Sequence, residues 1–185
     1  MRAEAYNAEY SMPTTIPASF AQLKTNLEIT GLQESTVSTR QQNVRDAVER
    51  RLTVESTFLT GSYSRSTMIA PLKSADIDIF VVLNSSYFSQ YTPSGLLDRF
   101  REVLRETYPL SPRISRNGQA VTITFTDFIV DVVPAFNRRG GGYLIGDSST
   151  GNWIETDPLV HNRLVTGENT VHNGDLVPLV KMIKA

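Results

Sequence analysis

FLTGSYSRSTMIAPLKSADIDIFVVL, residues 58–83, joins a turn at Gly61-Ser62 to an apolar run that carries two acids, Asp76 and Asp78. From Ile77 to Leu83 the run reads as a strand, because β-branched and aromatic residues follow one another without a breaker. Side chains alternate across a strand, so Asp76, Asp78 and Phe80 share one face while Ile77, Ile79 and Val81 turn to a core. Two carboxylates about 7 Å apart at Cα on one face repel each other, and an apolar setting raises the pKa of at least one. A divalent cation between them reverses the sign of that interaction. Hard oxygen ligands suit Mg2+, with Mn2+ the other fit. The turn upstream supplies what the acids lack. Gly61 lets backbone approach a phosphate, and Ser62 can open a short helix whose first N–H groups attract anions.

Thirteen residues separate Gly61-Ser62 from Asp76-Ile77-Asp78. With Gly61, Ser62, Tyr63, Arg65, Thr67, Ile69 and Pro71 ahead of the two acids, the stretch resembles the signature of the polymerase-beta-type nucleotidyltransferases. Within them it is similar to the CD-NTase family, the bacterial cyclic-oligonucleotide synthases related to cyclic GMP-AMP synthase and oligoadenylate synthase. The resemblance implies an α/β (α+β) nucleotidyltransferase core, a mixed sheet with helices packed mainly on one side. It also implies two Mg2+ ions, nucleoside triphosphate substrates (ATP, GTP or a pyrimidine nucleotide) and a regulatory protein partner. The implied product is a cyclic di- or trinucleotide, a second messenger of antiphage (CBASS) signalling.

A third acid is needed, and residues 128–134 offer it. Asp131 stands in the middle of Phe-Ile-Val-Asp-Val-Val-Pro, where an unpaired charge is costly. The resemblance places the third metal-binding acid on a strand beside the first pair, and Asp131 matches that place. Asp127 competes for the role but sits at a turn, where Asp commonly bonds to backbone. Arg65 is a candidate phosphate contact and equally a candidate loop-fixing residue. In related synthases a lysine on a later helix contacts the triphosphate. Lys181 is the nearer candidate and Lys184 the second.

The remaining chain frames this centre. Residues 1–15 read as an irregular arm. A helix is expected from Pro17 to about Ile29 and stopped by Gly31, and a second from Ser35 to Leu52 with Val37, Val44, Val48 and Leu52 as its stripe. Arg40, Arg45, Arg50 and Arg51 read as a solvated face, with a basic ligand patch as the other option. A strand at 56–59, a helical turn over 64–68 and a helix over 93–108 capped by Thr92 or Ser94 follow. Strands are expected at 113–115 and 120–125 around the turn Asn117-Gly118. The glycine-rich loop at 138–142 precedes the apolar run at 143–145 rather than a helix, so it reads as a connector. Trp153 reads as a packing anchor. Helix signals return after Asp157-Pro158 and again from Asp175, which reads as an N-cap. The expected organisation is an arm at 1–15, a nucleotidyltransferase core at 16–174 and the start of a helical C-terminal half at 175–185.

Composition narrows the classes. The net charge of −1 and pI near 6.1 give no basic footprint, which argues against a stable nucleic-acid partner and against a tRNA-adding enzyme. There is no cysteine, hence no disulfide or thiolate site. No run of about 18 apolar residues occurs, so no membrane partner is expected and the cytoplasm is the default location. Within the same fold, a linear oligonucleotide polymerase and a protein-modifying, antitoxin-like transferase are the other enzymatic readings. A catalytically silent nucleotide-binding module is the non-enzymatic one.

Overall fold

The computed structural model describes residues 15–110 and 113–185; the arm expected at 1–15 lies outside it except for Thr15, which caps the first helix. Two helices open the chain, α1 (Ile16–Leu27) and α2 (Gly31–Glu49). Gly31 was expected to end the first helix; it is instead the first residue of the second. The reason is local. Thr30 accepts a hydrogen bond from the Gln33 amide at 3.3 Å, and its own amide donates to Gln33 Oε1 at 2.8 Å, a reciprocal cap that starts α2 one residue after Thr30.

A sheet follows in the order β1 (Val54–Thr60), β2 (Asp76–Leu83), β5 (Ile129–Asn137), β4 (Ala120–Thr124), β3 (Arg113–Asn117). β2 and β5 run parallel and the other pairs antiparallel. The sheet extends from β5 through β6 (Tyr143–Gly146) to β7 (Trp153–Thr156). Between β1 and β2 lies the short helix α3 (Gly61–Ser64). It ends earlier than the expected turn at 64–68, because Ser66 takes a left-handed φ of 57° that no helix continues through.

The helix α4 (Pro93–Thr107), capped by Thr92 with Pro93 in its first turn, joins α2 on one face of the sheet. Between them lies the main core. Val37, Val44 and Val48 meet Leu97, Phe100 and Leu104 over the inward side chains of β2, β4 and β5. On the opposite face, Phe80, Val82 and Ala135 form a smaller cluster roofed by Phe58 and Tyr143. Arg40 of α2 is structural: it stacks over Phe125 at 4.2 Å and pairs with Asp127 at 2.9 Å. Trp153 packs against Phe88 and Phe136. The last two helices, α5 (Pro158–Val171) and α6 (Leu176–Lys184), follow β7; α6 packs on α1 and on α5. Asp175 occupies the cap position of α6 but makes no side-chain cap bond; Asn169 Oδ1 takes the Val177 amide instead, at 2.9 Å. Among the described residues, no helix is long and apolar enough to cross a membrane.

Candidate active site

Pairing register builds the site. Asp78 of β2 stands opposite Asp131 of β5, Asp131 opposite Thr122 of β4, and Thr60 of β1 opposite Asp78. One row across four strands thus reads Thr60, Asp78, Asp131, Thr122. Because β2 and β5 are adjacent, their acids stand one strand spacing apart, about 4.8 Å. Asp76 lies two residues up β2 on the same face. One carboxylate oxygen from each of Asp76, Asp78 and Asp131 lies within 4.8 Å of the others. Asp76 is exposed and the other two are half-buried.

The electrostatics are those of carboxylates held close together in a partly buried site. Asp78 is pushed up to about 6, first by desolvation and then by the Asp76 and Asp131 charges, while Arg65 pulls the other way. Asp131 is also raised, again chiefly by burial. Thr122 opposes that rise: its hydroxyl donates to Asp131 Oδ1 at 2.5 Å and holds the carboxylate in one orientation. Three hard oxygen donors that repel one another at this spacing fit a divalent cation and fit nothing apolar.

Gly61 closes the site from above. Its φ is +68°, and a Cβ there would fall 1.7 Å from Asp78 Oδ2. Only glycine lets the α3 turn come down onto the carboxylate. Beyond the turn, Thr67 folds back: its amide donates to the Ser62 carbonyl at 2.9 Å. A cleft of about 480 Å³ opens beside the acids, lined by Ser62, Met68, Ala75, Asp76 and Lys184. On the other flank, Asn162 of α5 donates to Ser64 Oγ at 2.6 Å and ties α5 to the turn.

The expected site residues therefore divide. Asp76, Asp78, Asp131, Gly61 and Ser62 come together, and Arg65 lies near enough to weigh on Asp78. Asp127 does not, being engaged with Arg40. Lys181 does not enter the cleft: it is 7% exposed and donates to Glu28 Oε2 at 2.5 Å. Lys184, one turn further along α6, is the lysine that lines the cleft. Thr122 was missed by sequence reasoning. Its alternation with Val121 and Ile123 placed it on the polar face of β4, but only the register with β5 sets it against Asp131.

A mixed sheet that gathers three acids beneath a glycine-serine turn, flanked by helices chiefly on one face, is the core fold of the polymerase-beta-type nucleotidyltransferases. Solved structures share the fold. The Bradyrhizobium diazoefficiens CD-NTase CdnG in complex with GTP superposes with a TM-score of 0.68 at 17% identity, over 81% of this chain and 47% of that one. The Vibrio cholerae cyclic AMP-GMP synthase DncV gives 0.66 at 13% identity, over 88% and 62%. In sequence, the chain is 31% identical over 134 residues to the cyclic AMP-AMP-AMP synthase of an Acinetobacter strain, covering 69% of this chain and 38% of that protein. It is 26% identical over 156 residues to a probable cyclic nucleotide synthase of Bacillus cereus, covering 67% and 47%. Residues 14–169 match the Second Messenger Oligonucleotide or Dinucleotide Synthetase domain, and the chain belongs to that family. It spans less than half the length of either of these curated relatives.

Proposed function

We propose that this chain is the N-terminal catalytic part of a cyclic oligonucleotide synthase that joins ribonucleoside triphosphates into a cyclic di- or trinucleotide, the second messenger of an antiphage response. The observation that carries this reading is the convergence of Asp76, Asp78 and Asp131 under Gly61. Relatives named as cyclic AMP-AMP-AMP and cyclic AMP-AMP-GMP synthases support the product class.

Asp76, Asp78 and Asp131 would hold Mg2+, two ions in the full reaction. Bound there, Mg2+ supplies charge neutralisation for the triphosphate and a lowered pKa for the attacking hydroxyl. The chain's own groups do the rest. The Gly61-Ser62 turn presents backbone and hydroxyl donors to the β and γ phosphates. Lys184 lines the cleft and Arg65 lies near enough for its charge to act on Lys184, so both bring positive charge toward it. A ribose hydroxyl oxygen attacks the α phosphorus in line; a new P–O ester bond forms, the bond to the β-phosphate oxygen breaks, and pyrophosphate leaves. Asp131 takes the hydroxyl proton, and Thr122 keeps its carboxylate turned toward that hydroxyl. A regulatory protein partner fits the same reading, since one solved neighbour is a complex of CdnC with a HORMA protein.

The test offers all four ribonucleoside triphosphates with Mg2+ to the protein that carries this chain and separates the products. Phosphatase-resistant oligonucleotides and stoichiometric pyrophosphate are expected, and Asp76→Asn with Asp78→Asn should abolish both. Unchanged synthesis by that double variant would remove the reading.

A further inference from the structure

α6 carries a contradiction between composition and packing. Its sequence is Leu-Val-Pro-Leu-Val-Lys-Met-Ile-Lys, yet its single buried side chain is Lys181. Leu179 and Ile183 are 54% and 76% exposed. Leu176, Val177, Pro178, Val180 and Met182 are only half-buried, so apolar contact holds α6 against its neighbours while its one enclosed, directional contact comes from Lys181. Lys181 Nζ, enclosed at this interface, donates to Glu28 Oε2 at the residue that ends α1. The Lys181 end of the pair is buried and the Glu28 end is exposed, so the pair adds little net stability. What it adds is one distance and one direction.

The consequence appears one turn along. Residues three apart share a helix face. Lys184 Nζ donates to the Thr67 carbonyl at 2.9 Å and approaches its hydroxyl at 3.3 Å. Thr67 is the residue that folds back on Ser62, so Lys184 is seated on the frame of the phosphate turn. An ammonium has three N–H donors, and this seat leaves capacity for a ligand in the cleft that Lys184 shares with Asp76 and Ser62. Lys181 lines a different cavity, of about 360 Å³, with Glu28, Tyr63 and Ser66; Met68 forms a wall of both.

We propose that Lys181 is a positioning residue: its pair with Glu28 sets the rotation of α6 and thereby places the Lys184 ammonium at the phosphates of a bound nucleoside triphosphate. This rests on the nucleotide-binding reading above, and it divides labour between the two candidate lysines of α6. Breaking the strut lets α6 turn on its exposed apolar side, and Lys184 loses its seat while the sheet and the acids stay in place.

The test is a coupling measurement on the 185-residue chain. The dissociation constant of ATP with Mg2+ is measured by calorimetry for the wild type, Lys181→Met, Glu28→Gln, Lys184→Ala, the double variant Lys181→Met/Lys184→Ala, and Asp76→Asn. Thermal midpoints confirm that each variant is folded at the working temperature. Lys181→Met, Glu28→Gln and Lys184→Ala should each weaken ATP about 5- to 10-fold, and Lys181→Met should add less than about 2-fold once Lys184 is already alanine. Additive losses, or unchanged affinity in Lys181→Met and Glu28→Gln, would overturn the positioning role. If Asp76→Asn and Lys184→Ala weaken ATP while Lys181→Met does not, only the positioning role falls. If Asp76→Asn and Lys184→Ala also leave ATP binding unchanged, the nucleotide-binding reading falls with it.

Discussion

Asp78 is held at about 6 by burial and by two neighbouring carboxylates. The sign of its pH dependence follows. An unfolded Asp titrates near 3.8, so between there and about 6 the folded chain binds more protons than the unfolded one. Stability from this group is present at low pH and lost as pH rises through about 6. Asp131, also raised, adds to the same trend. Mg2+ requires the ionised carboxylates, so its stabilising effect runs the opposite way. The shift in thermal midpoint on adding Mg2+ should be small near pH ~5 and grow to a plateau by pH ~7.5. A shift that does not change across that range would contradict the assignment. Thr122→Val removes the donor to Asp131 while keeping its shape. Mg2+ affinity should fall about 10-fold with little change in melting, as for outer partners of metal ligands. Gly61→Ala sets a methyl group on the Asp78 carboxylate in a left-handed backbone. Stability should drop by about 1–3 kcal/mol, and Mg2+ binding should fall further than in Thr122→Val.

At the scale of elements, α4 shows how the core carries the site. Phe100 is fully buried between α2 and the sheet, on the face opposite the acids. Phe100→Ala should cost about 3–5 kcal/mol in denaturant unfolding, a loss far from the chemistry. Strands β1 to β5 were legible in the sequence because alternating or apolar runs, such as Ile77–Leu83, have one sensible reading; the short β6 and β7 were not read as strands. The shared face of Asp76 and Asp78 was legible too, since alternation is local. The register between β2 and β5 was not, because no residue in either strand encodes its opposite number fifty residues away; only the resemblance pointed Asp131 to that place. The rotation of α6 was likewise illegible. An apolar helix predicts that its apolar side chains are the most deeply buried, and the structure half-buries most of them while enclosing Lys181 most fully. The end of α3 hangs on one left-handed residue, Ser66, which composition does not announce.

At the scale of the molecule, one face of the sheet is closed by α2 and α4, and the acids open onto the other. Several apolar side chains of the flanking helices are exposed, among them Ile16 and Phe20 of α1, Leu164 and Val171 of α5, and Ile183 of α6. The chain supplies the acids, the turn and one lysine of a cleft whose relatives are about twice as long. The proposed contribution of this chain is best isolated as metal-dependent triphosphate binding. The most direct measurement is calorimetric titration of ATP into the chain with and without Mg2+, for the wild type and for Asp78→Asn. The account predicts that wild-type binding requires Mg2+ and that Asp78→Asn weakens it by more than about 10-fold. Equal binding by the two proteins, or wild-type binding indifferent to Mg2+, would contradict it.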